Sequence, residues 1–252
     1  MSKKVRTLIF IVATITFLAS GAKIVWTYYQ MHVGQSAYEN ISHEVIAEPP
    51  DEDDPEVPEH HPWPDIDFAT LDAINPDIIA WLFIPDSPVS YPILRGPDNN
   101  AYLRTTFDKK PNILGSIFQD YRNDADFQDQ NTVIYGHNTR NDSMFGSLKK
   151  YKQLEYAEQR LDVYIVRKND VLVYEIFAVY ETLATSDTYT IRFESETSFA
   201  GYLKEMAAKS VVEIGSPPSA GHIITLSTCT GGDQTMRLVL QARLVETVAV
   251  AR

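Results

Sequence analysis

Hydrophobic and polar positions divide the chain into stretches of different character. From Thr7 to Ala22 no residue is charged; Lys3, Lys4 and Arg6 precede this run, and Lys23, Ile24, Val25, Trp26, Tyr28 and Tyr29 follow it. The uncharged run is short of the ~20 residues that a membrane-spanning helix needs. Lys23 can snorkel towards lipid headgroups and the Trp/Tyr cluster suits the interface, so the effective span reaches about Trp26. The pattern predicts a membrane anchor over residues 1–29, with its basic end in the cytoplasm. The small residues Ala19, Ser20, Gly21 and Ala22 leave a cleaved signal peptide as the alternative. Residues 30–46 read as a polar, helical stalk. Residues 47–67 mix prolines with nine Asp and Glu and no Lys or Arg. Such a segment buries too little apolar surface to fold and extends by self-repulsion, so 30–67 is expected to be stalk and spacer, with an acidic binding tail as the alternative.

From Phe68 the pattern is that of a folded domain, 68–252. Phe68, Leu71 and Ile74 share one face of a short helix that Asp67 can cap, and Asn75-Pro76 ends it. Eight short apolar or alternating runs then predict strands: 80–84, 89–94, 115–119, 132–135, 162–167, 171–183, 223–227 and 237–245. The pair 162–167 and 171–183, joined across Lys168-Asn169-Asp170, reads as a hairpin. Helices are expected near 144–151 and over 197–209. About eight strands in ~185 residues predict a mainly β fold, a closed or nearly closed barrel with helices on its outside.

A formal net charge of -12 excludes a nucleic-acid binder, which needs a basic face. The acidity is concentrated in the spacer, so the domain itself is only mildly acidic. Cys229 is the single cysteine of the 252 residues. It rules out an intrachain disulfide and a thiolate metal cluster, and neither a metal site nor a cofactor is expected. A lone thiol in an exported protein suggests chemistry, although a small buried hydrophobe is the bland alternative.

The segment IITLSTCTGGDQTMRLVLQARLV, residues 223–245, carries the chemistry. An apolar strand ends at Cys229, a polar loop follows, and Arg237 opens the next strand. If the two strands pair antiparallel, the arginine lies beside the cysteine. A thiolate nucleophile needs a cationic neighbour or a base, and the oxyanion it creates needs a stabiliser. Of six histidines, His32, His43, His60 and His61 lie in the stalk and spacer. His222 starts the Cys229 strand, at the far end. His137 closes the strand of NTVIYGHNTR, at a strand end, and is the better of the two candidates. Ser227 points to the same side of the strand as Cys229, towards substrate, while Thr228 points the other way and can contribute its backbone. Asp233 either orients Arg237 or is a solvated loop acid.

TLSTC followed by Arg237 resembles the sortase signature. NPDIIAWLFIPDSPVSYPILRG, GSIFQDYRND, NTVIYGHNTRNDSMFGSLKKY and the helical 197–209 stretch before the Cys229 strand resemble class B sortases, over roughly Phe68 to Val245. The resemblance implies a sortase-type eight-stranded β-barrel with peripheral helices, preceded by the membrane helix. It implies a cysteine transpeptidase that cleaves a C-terminal sorting signal of secreted proteins at a Thr-Gly or Thr-Asn bond. The acyl group would pass through a thioacyl enzyme to an amine on a peptidoglycan precursor. Cys229 would be the nucleophile, His137 the proton carrier and Arg237 the oxyanion stabiliser. By the same resemblance Tyr189, Ile191, Asn99 and Leu103 are candidate substrate-groove residues, with ordinary packing as the alternative for each. The expected location is the cell membrane, single-pass, with the catalytic domain outside. Two alternatives stay open: a hydrolytic cysteine peptidase, and a membrane-tethered binding module without turnover.

Overall fold

The computed structural model describes residues 2–47, 61–229 and 235–250. Helix α1 runs unbroken over Lys3–Val45. Its first two-thirds expose Leu8, Phe10, Phe17, Trp26 and Tyr29, and this part is long and apolar enough to cross a membrane. Its last turns behave differently: Gly34, Tyr38, Ile41 and Val45 are buried. Their spacing of four, three and four residues puts them on one helix face, and Tyr38, Ile41 and Val45 belong to the main core. The stalk expected over 30–46 is therefore helical, but it is docked on the domain through this face rather than standing free of it. The spacer also returns to the fold at its end. Ile46 pairs with Ile66 in an isolated antiparallel bridge, Ile66 is buried, and Trp63 packs on Tyr164 with ring centroids 5.4 Å apart. The acidic stretch 48–60 lies outside the described residues.

Helix α2 (Phe68–Ile74) starts at Asp67, whose carboxylate accepts from the Ala69 and Thr70 amides, as its sequence predicts. Eight strands follow: β1 (Ile78–Phe83), β2 (Ser90–Leu94), β3 (Ile117–Gln119), β4 (Asn131–Gly136), β5 (Asp162–Val166), β6 (Asp170–Leu183), β7 (Ile223–Cys229) and β8 (Met236–Ala249). They close into a barrel in the order β1-β2-β3-β4-β7-β8-β6-β5. All neighbours are antiparallel except β2/β3 and β4/β7. The β5–β6 hairpin has the expected position. Between β4 and β5 the expected helix is a 3-10 turn, Gly146–Lys152, followed by a short helix α3 (Leu154–Glu158). Helix α4 (Glu196–Ala208), with a Ser195 capping box, buries Phe199, Tyr202, Leu203 and Met206 against the outside of β6, β7 and β8.

Two features of this fold place the site. The parallel β4/β7 pair brings the C-terminal ends of both strands to the same rim of the barrel. A buried polar cluster near the opposite ends of the same strands pins the segment between β6 and α4, whose Tyr189 reaches Ser227 near that rim. Asn131 donates to the Thr188 and Thr190 carbonyls, Tyr202 donates to Thr188 O at 2.8 Å, and Thr225 donates to Asn131 Oδ1 at 2.7 Å.

Candidate active site

Strand β7 lies between β4 and β8, and its end collects three chemically distinct residues. In the antiparallel β7/β8 register Cys229 is directly opposite Arg237. In the parallel β4/β7 register Tyr135 pairs with Ser227 and Gly136 with Thr228. His137 follows the last of these pairs on β4 as Cys229 follows it on β7, so both residues stand at the same end of the barrel. His222 starts β7 at the opposite end and its ring bonds Asp129 O. A small cleft of about 160 Å³ opens here, lined by Asn99, Leu103, Phe118, Tyr135, Gly136, His137, Ser227, Thr228 and Arg237.

The His137 ring is held through one nitrogen. Nε2 lies 2.6 Å from the Leu103 carbonyl. A carbonyl only accepts, so Nε2 carries a hydrogen, and in the neutral ring Nδ1 keeps the lone pair. Arg237 is half-buried and donates from Nη1 to the Met236 carbonyl at 2.9 Å. A guanidinium stays charged at any relevant pH, so the cleft has a permanent cation on one side and a titratable ring on the other.

The other expected residues divide into two groups. Asn99, Leu103, Ser227 and Thr228 line the cleft. Ser227 is buried, and its hydroxyl is 2.9 Å from that of Tyr189. Tyr189 in turn stacks on Tyr135, with centroids 6.2 Å apart. Tyr189 thus supports the wall from behind. Ile191 is buried beside that wall and does not line the cleft; its carbonyl accepts from the Asn131 amide at 3.2 Å. It acts as packing that fixes the segment carrying Tyr189. Asp233 lies outside the described residues.

Several residues of the site were not singled out from the sequence. Tyr135 lines the cleft two positions before His137, and strand alternation alone puts both on one face. Its hydroxyl donates to Asp120 Oδ2 at 2.9 Å. Asp120 is fully buried. It accepts two guanidinium bonds from Arg122 at 2.8 and 2.9 Å, and one from the Asn99 side chain at 3.1 Å. Burial alone would push this carboxyl up. The bonds from Arg122, Tyr135 and Asn99 outweigh it and hold the pKa below its ordinary value. Burial, reinforced by the Asp120 charge, pushes the Tyr135 phenol up, so it remains a donor. One buried carboxylate therefore orients two lining residues, Asn99 and Tyr135.

With this geometry in view, comparison with known proteins is direct. The sortase domain family model matches residues 82–245. Sortase B of Listeria monocytogenes is 40% identical over 192 residues, covering 71% of this chain and 74% of that relative. The crystal structure of Clostridium perfringens sortase B matches with a TM-score of 0.67 and 32% identity, over 71% of this chain and all of the other. A sortase B crystal structure described as complexed with triglycine matches with a TM-score of 0.66 and 29% identity, over 73% of this chain and 86% of the other.

Proposed function

Because the chain belongs to the sortase family, in its class B, and is a cysteine transpeptidase, we propose that Cys229, His137 and Arg237 form its catalytic centre. The observation that carries the proposal is the register at the end of β7. It sets Cys229 opposite Arg237, and it ends β4 and β7 together so that His137 and Cys229 each follow the last β4/β7 pair. Cys229 is also the only thiol in the sequence.

In this mechanism His137 Nδ1 takes the proton of the Cys229 thiol, and the resulting thiolate attacks the carbonyl carbon of a threonine in an extended peptide lying in the cleft. The carbonyl oxygen gains the charge, and Arg237 offsets it with fixed positive charge and directed N–H groups. The tetrahedral intermediate collapses as the C–N bond breaks. The departing amine, of Gly or Asn, takes a proton from His137 Nδ1, while Nε2 keeps its hydrogen on Leu103 O. The acyl group is left as a thioester on Cys229. An incoming amine then attacks that thioester and gives its extra proton to His137 Nδ1. Collapse expels the thiolate and yields the new amide. The pH–rate profile belongs to the coupled thiol–imidazole pair rather than to either residue alone.

The substrate in this proposal is a C-terminal sorting signal of a secreted protein, and the acceptor is an amine of a peptidoglycan precursor. Ser227, Thr228, Asn99, Leu103 and Tyr135 would contact the peptide. The complex of a related sortase B with triglycine supports an oligoglycine amine as the first acceptor to try. The basic residues before the apolar part of α1 support a single-pass anchor with the domain outside the cell.

Transpeptidase and hydrolase share the thioester, so the acceptor separates them. Cleavage of a Thr–Asn or Thr–Gly peptide in rising triglycine should divert product from the free acid to the triglycine amide, read by mass spectrometry. Product that stays entirely acid at saturating amine would return the chain to the hydrolytic alternative.

A further inference from the structure

A continuous set of contacts runs from the N-terminal helix to the histidine of the cleft. Tyr38, on the docked face of α1, places its hydroxyl 2.7 Å from Gly115 O and 3.1 Å from Ser116 Oγ. Burial pushes its pKa up, so the phenol stays a donor. Gly115 has φ +56°, and its backbone approaches Leu103 so closely that an added Cβ would collide with the Leu103 carbonyl oxygen. Ser116 fixes the same turn from both of its groups: its amide donates to Tyr102 O at 3.0 Å and its hydroxyl to Thr105 O at 2.7 Å. The carbonyl at the centre of this turn, Leu103 O, is the one that accepts from His137 Nε2.

The helix grips this segment at a second point. Asn112 donates to Gln30 O at 2.9 Å, and at Gly34 an added Cβ would sit 2.7 Å from Asn112 Oδ1. It also braces the loop that leaves His137. Asn141 donates to Gln35 Oε1 at 2.9 Å. Tyr91, edge-on to Tyr38 with centroids 5.4 Å apart, accepts the Met144 amide at 2.9 Å. The Phe145 amide then closes the loop on His137 O at 3.0 Å.

The geometry points to the docked half of α1 as a positioning element for the histidine, with Tyr38 as its central residue. Tyr38 holds Gly115 and Ser116, these fix the turn that carries Leu103, and the Leu103 carbonyl keeps the His137 ring protonated at Nε2, which leaves Nδ1 for proton transfer. The inference rests on the reading of His137 as proton carrier. It makes the helix that carries the membrane anchor part of the catalytic apparatus rather than a tether alone.

The test uses the full chain in detergent, with a fluorogenic peptide containing a Thr–Asn bond and long-range 1H–15N spectra of the histidine rings. Tyr38→Phe removes one hydroxyl. It should lower kcat by about 10- to 100-fold with KM little changed, the size expected when a reacting group is displaced by about 1 Å. It should also weaken the Nε2–H tautomer preference of His137. Gly115→Ala, which presses on Leu103 directly, should do the same more strongly. Ile165→Val, a core trim of the same size on β5, should leave rate and tautomer unchanged. Wild-type kcat and tautomer in both Tyr38→Phe and Gly115→Ala would overturn the proposal. So would a wild-type neutral ring protonated at Nδ1, a result that needs no variant to fold. His137→Ala with wild-type activity would instead remove the role of His137, while the wild-type spectra still report whether its ring is braced.

Discussion

Cys229 has no substitute in this chain, because there is no other thiol. Cys229→Ala should abolish peptide cleavage and leave the melting temperature unchanged, since the residue ends β7 and the change is small. Cleavage near the wild-type rate in the purified variant would remove it as nucleophile. Arg237, its register partner, is proposed to have a different task. Losing one oxyanion donor costs roughly 100- to 1000-fold in kcat, about 3–4 kcal/mol. Arg237→Ala should fall in that range and Arg237→Lys should recover little, since the point charge lacks the planar fork. Near-full activity in Arg237→Lys would show that charge alone suffices. Asp120 supports the cleft rather than the chemistry. Its folded pKa is depressed, so its charge contributes stability above the unfolded value of about 3.9 and loses it as pH falls through the folded value. Asp120→Asn should cost ~1–3 kcal/mol at neutral pH by leaving buried donors poorly paired. In denaturant titrations the gap to wild type should be flat at neutral pH and close in the acid range. A gap of constant size down to strong acid would show that the charge contributes nothing.

At the scale of elements, α1 joins two functions that the hydropathy pattern separates. Deleting the apolar residues up to Tyr29 should leave a soluble domain that melts like the full chain, because the core residues of α1 begin after it. Deleting residues 1–46 removes Tyr38, Ile41 and Val45 from the core. Loss of a single large buried side chain costs ~2–5 kcal/mol against a typical domain stability of ~5–15 kcal/mol, so this deletion should melt far lower or fail to fold. Equal melting temperatures for the two truncations would mean that the docked turns contribute nothing. The docking was present in the sequence as Gly34, Tyr38, Ile41 and Val45, but the polar residues between them made the segment look solvated. The eight strands were legible because β-branched and aromatic residues recur at the right period between turn residues, and Asp67 announced α2 by its capping chemistry. The Cys229–Arg237 pairing followed from one loop between two strands. The β4/β7 neighbourhood did not, because β5, β6 and α4 intervene along the chain. Nor did the Asp120 cluster, whose partners Asn99 and Tyr135 are brought to it only by the closed barrel.

The whole molecule combines an apolar helix, an acidic stretch and a barrel whose reactive rim is tied back to that same helix. In the proposed reading a membrane-held enzyme works on secreted chains, and a small cleft edged by strand ends suits one peptide segment at a time. The central claim is that cleavage and transfer pass through one thioester on Cys229. Its most direct test is the intact mass of the enzyme, acid-quenched during turnover of a Thr–Asn or Thr–Gly peptide. The mass should rise by the peptide fragment ending in threonine, digestion should map the adduct to Cys229, and added triglycine should discharge it as the amide. Turnover without an adduct, or an adduct that persists in Cys229→Ala, would contradict the account.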